Sequence, residues 1–268
     1  MASCWERIAA LQITNASRLC VGLDVDPQKY PSSLNGKHES TFEFNKGVID
    51  STLDMVCAYK PNAAFYEAMG EPGLLALKET IKYIDGRVPV ILDVKRGDIG
   101  NTGSKYASAA YEDLQADAVT LSPYMGFDSI EPFMKYEDKG IFLLCLTSNA
   151  GSADFQLEPQ GDPLFARVAR KAVEWDDGSG ALGLVVGATH PGTVDRVREL
   201  AGELPFLLPG IGAQGGAIES VNAAEVNGDG LGVVVNASRG VIYAGSGDNW
   251  REEVRNAASQ LKDSIGIQ

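Results

Sequence analysis

The feature that most constrains the fold is an alternation of short apolar runs with longer segments of helical periodicity, repeated eight times along the 268 residues. Short runs rich in β-branched residues or leucine are typical of buried parallel strands. Segments with a period near 3.6 residues between them are typical of helices that cover such a sheet. The predicted strands cover Leu19–Asp24, Val56–Lys60, Val88–Asp93, Ala118–Leu121, Ile141–Thr147, Leu182–Val186, Phe206–Leu208 and Leu231–Asn236.

The predicted helices follow these strands one by one. Asp162 followed by Pro163 predicts a helix start, with Asp162 as the N-cap and Pro163 in the first helical position. An additional helix, Trp5–Leu11, is predicted before the first strand. The eight others cover Phe42–Met55, Ala63–Ile84, Ser104–Leu114, Asp128–Tyr136, Asp162–Trp175, Thr193–Ala201, Ala217–Val226 and Trp250–Ile265.

Eight strand–helix pairs in a chain of this length are the signature of a (β/α)8 barrel, the TIM-barrel fold of the α/β class. The alternative is an open, doubly wound sheet. The first strand runs into VGLDVDP, which lacks the GxGxxG turn common to dinucleotide-binding open sheets. No long Pro- or Ser-rich linker divides the chain, so we predict a single barrel domain spanning residues 1–268 with an extra N-terminal helix.

Composition excludes several classes of partner. The formal net charge is −13, from 23 basic and 36 acidic residues, whereas nucleic acids and anionic membranes require a basic surface.

The four cysteines form no CxxC pair, and we expect buried, reduced thiols at Cys4, Cys20, Cys57 and Cys145. The N-terminal segment lacks a basic region followed by an apolar one, so we expect a cytoplasmic protein without a signal peptide. The two histidines have no second ligand at metal-binding spacing, and no metal site is predicted.

In a (β/α)8 barrel, the active site lies at the C-terminal ends of the strands. The third strand ends in LDVKRGD, where Asp93 and Lys95, two residues apart, should project to the same side. Gly97 then lets the chain turn, so that Asp98 brings a second carboxylate near the same rim. Such a group holds an ammonium poised to donate a proton. The alternative is a solvated cluster of charges at a strand end.

Two other charged residues end predicted strands. Lys60, in the run VCAYKPN, has three possible roles: a Schiff-base nucleophile as in class I aldolases, a charged partner of the carboxylates one strand away, or a lysine that reaches solvent from an apolar stem. Asp24, at the end of the first strand, is either a ligand-binding carboxylate or a turn cap.

The loops after the seventh and eighth strands favour a phosphate site. PGIGAQGGAIES places glycines 210, 212, 215 and 216 ahead of a helix, where free backbone N–H groups attract anions. NASRG adds Arg239, whose planar guanidinium suits a phosphate. Each loop alone is also compatible with a simple glycine-rich turn, but both stand where barrels of this type bind phosphate.

The motifs VGLDVDP, CAYKPNAAFYEA, LDVKRGDIGNT, SNAG, GIGAQGG and SRGVIYAG occur in the order found in the orotidine 5′-monophosphate decarboxylase family. The chain resembles the longer bacterial type of that family over nearly its whole length. The resemblance implies a (β/α)8 barrel that acts as a homodimer without metal or organic cofactor. It implies conversion of orotidine 5′-monophosphate to UMP and CO2, the last step of de novo pyrimidine nucleotide synthesis.

The resemblance also implies roles for individual residues. It assigns a charge network to Lys60, Asp93, Lys95 and Asp98, with Lys95 as the proton donor to C6 of the pyrimidine. Asp98 and Thr102 are expected to reach the active site of the partner subunit.

The remaining residues are implied to bind the substrate, each at one part of the nucleotide. Asp24 corresponds to the carboxylate that binds a ribose hydroxyl, and Ser148 to the residue that hydrogen-bonds the pyrimidine. Gln214 corresponds to the side chain that bridges base and phosphate, and Arg239, followed by Gly240, to the phosphate ligand. The stretch around Ser148 reads SNAG, where a related form has Ser-His-Pro-Gly.

Two other functions are compatible with the same barrel. The first is a metal-dependent sister enzyme, such as 3-keto-gulonate-6-phosphate decarboxylase or hexulose-phosphate synthase. Those enzymes carry a further acidic metal ligand on the second strand, whereas this strand ends in Lys60 and Pro61. The second is a non-catalytic phosphate-binding barrel, which would bind a ligand without turnover.

Overall fold

Eight parallel strands form the centre of the molecule in a computed structural model, which describes residues 2–34, 40–159, 161–188, 192–210, 218–226 and 231–267. The strands are largely buried, as expected when helices cover a parallel sheet, except that the third is buried only over Ile91–Asp93. The strands are β1 Leu19–Leu23, β2 Ala58–Pro61, β3 Ile91–Arg96, β4 Ala118–Leu121, β5 Gly140–Leu146, β6 Leu182–Val186, β7 Phe206–Pro209 and β8 Val233–Ala237.

The sheet closes on itself. Its hydrogen-bonded order is β2-β1-β8-β7-β6-β5-β4-β3, and all of these pairings are parallel. The two outer strands of that order, β2 and β3, are joined by parallel bridges that pair Tyr59 with Val90 and Asn62 with Asp93. This closure confirms the predicted (β/α)8 barrel and excludes the open, doubly wound sheet.

Helices surround the barrel and one precedes it. The N-terminal helix α1 is longer than predicted at both ends, and Ser3 and Glu6 form a reciprocal capping box at its start. The helices are α1 Cys4–Asn15, α2 Ser40–Thr52, α3 Ala63–Glu67, α4 Glu71–Ile84, α5 Gly100–Ser108, α6 Glu131–Met134, α7 Leu164–Asp176, α8 Thr193–Ala201, α9 Ile218–Ala223, α10 Arg239–Ile242 and α11 Trp250–Ile265. One π-helical turn, Ala109–Asp113, follows α5.

Several predicted helices differ from the structure in their bounds, and two of these differences have a local cause. The segment Ala63–Ile84 is two helices, because Gly70 between them has a φ of +66°, which glycine adopts without strain. The predicted N-cap role of Asp162 is also wrong: the helix begins at Leu164, and Pro163 occupies the cap position. The Asp162 carboxylate instead pairs with Arg167 and Arg170 on the exposed face of α7.

Helix α1 packs against the N-terminal end of the barrel. Its residues Cys4 and Ile8 belong to the same buried cluster as inward-facing strand residues such as Cys20 and Phe142. Trp5 contacts the ring of Phe142 edge-on, with a centroid distance of 4.9 Å. Because α1 covers this end, the opposite end, where the strands have their C-termini, is the one available for a site.

All four cysteines are buried and free, as predicted. Burial raises the pKa of the thiols of Cys4 and Cys20 to about 12, so both stay protonated at neutral pH. In the part of the chain that the structure describes, none of the helices has the length and apolar character needed to cross a membrane.

Candidate active site

The C-terminal end of the barrel holds two adjoining cavities of about 330 Å³ and about 260 Å³. Both are lined by Lys60, Asp93, Lys95, Ser148 and Pro209. The predicted charged group therefore lies at the boundary between the two cavities, where a ligand that fills both would pass it. We call them the apolar cavity and the polar cavity, after their remaining lining residues.

Asp93 is the centre of the charged group. It is only 7% exposed, and Lys60 beside it is 4% exposed. The Lys60 ammonium donates to Asp93 Oδ2 at 2.8 Å, and the Lys95 ammonium donates to Asp93 Oδ1 at 2.5 Å. The hydroxyl of Thr120 on β4 also donates to Oδ1, at 2.8 Å. Of the roles considered for Lys60, the structure shows that of charged partner.

The charges in this cluster fix its protonation state. Burial alone would raise the pKa of Asp93, but Lys60 and Lys95, through charge and hydrogen bonds, hold that pKa well below its ordinary value. Burial likewise favours the neutral form of Lys60, but Asp93 and Asp24 outweigh it and raise the pKa of the ammonium. A lysine that remains protonated is unsuited to Schiff-base formation, which needs the free amine.

Lys95 differs from Lys60 in its exposure. Its side chain is half exposed and borders both cavities, so the ammonium is available to a ligand while it stays bonded to Asp93. The prediction that Asp93 and Lys95 lie on the same side is confirmed. The backbone there is not a regular strand, however, because Lys95 has a φ of +46° and the β3–β4 register shifts between Leu92 and Arg96.

The apolar cavity takes its name from Leu144, Val185 and Leu207, which point inward from three neighbouring strands, β5, β6 and β7. Thr120 lines the same cavity on the β4 side. Around its mouth lie residues of the loop after β5, including Ser148. This cavity suits a flat, weakly polar ring with polar groups at its edge.

Besides the residues that it shares with the apolar cavity, the polar cavity is lined by β8, by Asn62 after β2 and by the segments that follow β1, β7 and β8. Asp24 Oδ1 and Asn236 Oδ1 are buried and accept no hydrogen bond from any described residue. Two buried acceptors without donors favour a ligand that brings hydroxyl groups. Close packing of strands forms this wall: a Cβ on Gly22 of β1 would lie 2.0 Å from Ser238 Oγ.

A tyrosine ties the loop after β1 to the loop after β8. The Tyr243 hydroxyl donates to the Asp24 carbonyl at 3.0 Å and accepts from the Asp26 amide at 2.6 Å. Tyr243 immediately follows α10, the short helix that begins with Arg239. The backbone of Asp24 and the segment that carries Arg239 are therefore held in one fixed relation.

The structure describes only some of the residues that were predicted to bind an anion. Arg239 lines the polar cavity and is exposed, and Gly240, the next residue of α10, is also exposed but is not one of the lining residues. Gly210 also lines this cavity. Gln214 and the glycines at 212, 215 and 216 lie outside the described residues.

Asp98 and Thr102 do not line either cavity. Asp98 is half-buried, and one of its carboxylate oxygens accepts from the Ile99 amide, while Thr102 is exposed on α5. Asp98 is therefore not one of the cavity-lining residues of its own chain, and its place at the rim beside Asp93 stays a prediction.

Sequence reasoning missed several polar residues that line the cavities, among them Asn62, Thr120 and Asn236. Each is a polar residue at or near the end of an apolar strand, the signal already used for Lys60 and Asp93. Asn62 stands two residues after Lys60, and its backbone bridges to Asp93. Among the described residues, no three His, Cys, Asp or Glu side chains are grouped so that they could hold a metal ion.

The sequence model of the orotidine 5′-phosphate decarboxylase / HUMPS family matches residues 17–255. A relative named orotidine 5′-phosphate decarboxylase, from Azoarcus sp. (strain BH72), is 49% identical over 251 residues, which are 93% of each chain. A second, from Ralstonia pickettii (strain 12J), is 46% identical over 264 residues, 97% of each chain.

Among solved structures, that of the Leishmania donovani OMP decarboxylase superposes with a TM-score of 0.85 at 41% identity. The match covers 98% of this chain and 97% of that one. The fold, the family match and the extent of these similarities agree with each other, and they show that this chain belongs to the orotidine 5′-phosphate decarboxylase / HUMPS family.

Proposed function

We propose that the protein decarboxylates orotidine 5′-monophosphate to UMP and CO2, the last step of de novo pyrimidine nucleotide synthesis, in the cytoplasm. One observation carries the proposal: a half-exposed ammonium, Lys95, is bonded to a buried, ionised carboxylate, Asp93, at the boundary between an apolar and a polar cavity. The relatives that cover most of this chain carry the name of this enzyme.

The proposed chemistry takes place at C6 of the pyrimidine. When the bond between C6 and the carboxylate carbon breaks, CO2 leaves and the electron pair stays on C6, where the ring delocalises it poorly. A fixed cation next to C6 stabilises that developing charge. Lys95 supplies the cation and then transfers one Nζ proton to C6, which yields UMP and a neutral amine. Because the Lys95 side chain is half exposed, solvent can return the proton.

The other charged residues hold Lys95 in its working state. The ammonium of Lys60 neutralises one oxygen of Asp93 and leaves the other to Lys95 and Thr120. The ionised Asp93 would also face the substrate carboxylate, and the repulsion between them would be relieved as CO2 departs. Asp98, the remaining member of the proposed network, would act from the partner subunit.

The two cavities suggest how the nucleotide is bound. The base would occupy the apolar cavity with Ser148 hydrogen-bonded to its edge, and the ribose would place a hydroxyl at the unsatisfied oxygen of Asp24. The phosphate would lie at Arg239, which lines the polar cavity, and at the adjacent Gly240. The family resemblance assigns to Gln214 the contact that bridges base and phosphate. Binding energy from the phosphate, remote from C6, would help to hold the base against Lys95.

We also propose a homodimer with shared active sites. Asp98 and Thr102 lie outside the cavities of their own chain, as a role in the partner's site requires. Large apolar side chains that neighbour them in the sequence, Ile99 and Tyr106, are exposed, and so is Tyr124 in the turn after β4, at 88%. Large exposed apolar side chains are typical of a surface that another chain covers.

The function is tested by adding orotidine 5′-monophosphate to purified protein in the presence of EDTA and following the loss of substrate absorbance, with UMP identified as product. The same preparation of Lys95→Ala controls for a contaminating decarboxylase. We expect turnover that is unaffected by EDTA. Turnover that EDTA abolishes would indicate a metal-dependent sister enzyme, and binding of UMP without turnover would indicate a phosphate-binding barrel.

A further inference from the structure

The β4 residue Thr120 connects β4 to β3 through three hydrogen bonds of its hydroxyl. Its side chain is almost fully buried, at 1% exposure. Its hydroxyl donates to Asp93 Oδ1 at 2.8 Å and accepts from the backbone amides of Val94 and Lys95, both at 3.0 Å. A hydroxyl has one donor and two acceptor positions, and all three are used here.

These bonds lie where the pairing of β3 with β4 is irregular. Leu92 pairs with Val119 and Arg96 pairs with Leu121, so three residues of β3 stand opposite the single residue Thr120. Bulged residues lose their regular ladder partners. The Thr120 hydroxyl accepts from two amides of this bulge, those of Val94 and Lys95, which have no regular ladder partner on β4.

The bulge also places Lys95 in an unfavourable backbone conformation. Its φ of +46° lies in the left-handed region, which residues other than glycine occupy only where the surroundings hold them. The hydrogen bond from the Lys95 amide to Thr120 is one such restraint. The same hydroxyl orients the Asp93 carboxylate that receives the Lys95 ammonium.

We infer that Thr120 is a positioning residue of the reaction, because one hydroxyl fixes both the backbone of Lys95 and the carboxylate to which its ammonium bonds. The inference rests on the proposed function in that Lys95 is the proton donor. A displacement of about 1 Å in a reacting group can lower turnover about 100-fold. Loss of the hydroxyl should therefore lower kcat, although Thr120 itself transfers no proton.

The test compares Thr120→Val, which keeps the shape and removes the hydroxyl, with Thr120→Ser, which keeps the hydroxyl. We expect kcat to fall about 10- to 100-fold in the valine variant, with KM and the UMP dissociation constant changed less than about threefold. The serine variant should keep kcat within about threefold of the unsubstituted protein. Thr80→Val is the matched control, since it removes an equally buried hydroxyl that bonds Ala76 and Asn45 away from the cavities.

Three results would overturn the inference. They are an unchanged kcat in Thr120→Val, an equal fall of kcat in the serine and valine variants, or an increase in KM in Thr120→Val without a fall in kcat. If the valine variant does not fold, Thr120→Ala takes its place with the same expectation. A crystal structure of the valine or alanine variant gives a readout independent of turnover, because Lys95 should leave its positive φ or lose its contact with Asp93. Absence of turnover in the unsubstituted protein would contradict the proposed function, whereas an unmoved Lys95 in that crystal structure would contradict the role of Thr120.

Discussion

Lys95 is the single residue on which the proposed chemistry most depends, and its replacement gives the first prediction. Lys95→Ala removes both the cation beside C6 and the proton that C6 receives. Loss of one electrostatic donor costs about 10²–10³ in rate, and loss of a general acid about 10²–10⁴. We expect kcat to fall by several orders of magnitude while UMP still binds, measured by steady-state kinetics and calorimetry.

A matched control is available for that variant. Lys78 is also a half-exposed lysine paired with an aspartate, Asp113, but it lies on the outer surface of the barrel. Lys78→Ala should therefore leave kcat and KM unchanged. Turnover of Lys95→Ala close to that of Lys78→Ala would rule out Lys95 as the proton donor.

Asp93 gives a prediction about stability rather than rate. Its pKa is held below the ordinary value in the folded protein, whereas in the unfolded chain a carboxyl of this kind titrates near pH 3.9, at about its ordinary value. The stability that ionised Asp93 contributes is therefore complete above about pH 5, and it is lost progressively as the pH falls from about 4 towards the lower pKa of the folded protein. We expect the difference in unfolding free energy between the unsubstituted protein and Asp93→Asn to shrink by about 1 kcal/mol or more between pH 6 and pH 3.

Urea unfolding at a series of pH values measures this difference. Asp113→Asn serves as the control, because Asp113 pairs with Lys78 in solvent, where water and salt screen the interaction. A difference for Asp93→Asn that stays constant over the acid range would show that the folded carboxyl titrates like an unfolded one.

At the scale of elements, the sequence was informative where one local rule decided the structure. The periodicity of apolar residues predicted all eight strands and the helix Trp250–Ile265 with its observed bounds. Local patterns failed where tertiary contacts or side-chain ion pairs decided the structure. The bulge of β3 depends on a hydroxyl of β4. The Asp162 carboxylate forms an ion pair with Arg170 and does not cap a helix. Thr120 was missed because its role depends on a neighbouring strand, which a pattern along one chain segment does not contain.

The segment after β8 carries the second activity prediction. Arg239 lines the polar cavity from the first position of α10, and Tyr243 at the other end of that helix ties it to the loop after β1. If Arg239 binds the phosphate, Arg239→Ala should raise KM strongly for orotidine 5′-monophosphate. The same substitution should change KM little for the nucleoside orotidine, which has no phosphate to bind.

The comparison of two substrates supplies the internal control for that variant, and Arg170→Ala supplies an external one. Arg170 lies on α7, is exposed and forms an ion pair with Asp162. Both residues are far from α10 in the sequence. Arg170→Ala should leave KM unchanged for both substrates. If Arg239→Ala raised KM equally for the nucleotide and the nucleoside, Arg239 would support the structure of the rim and would not bind phosphate.

At the scale of the whole molecule, the barrel has one covered end and one open end. Helix α1 covers the N-terminal end, and the two cavities meet at the other. The sequence predicted the barrel and the end at which the charges converge, because strand order and strand polarity follow from the βα alternation. The sequence alone did not predict where Asp98 and Thr102 lie. Their position depends on the path of the chain after the β3 bulge and on the surface of any second chain that packs there.

The position of Asp98 outside its own chain's cavities leads to a prediction about the assembly. If each site takes Lys95 from one subunit and Asp98 from the other, a Lys95→Ala subunit and an Asp98→Ala subunit should complement each other when mixed. One site of such a heterodimer carries both substitutions and the other carries neither. In a random mixture about half of the dimers are heterodimers with one intact site of two, so roughly a quarter of the unsubstituted activity should return. Native mass spectrometry with a mass-labelled subunit measures the exchange, and each variant alone provides the baseline. If the subunits exchange and no activity returns, Asp98 does not complete the active site of the partner subunit.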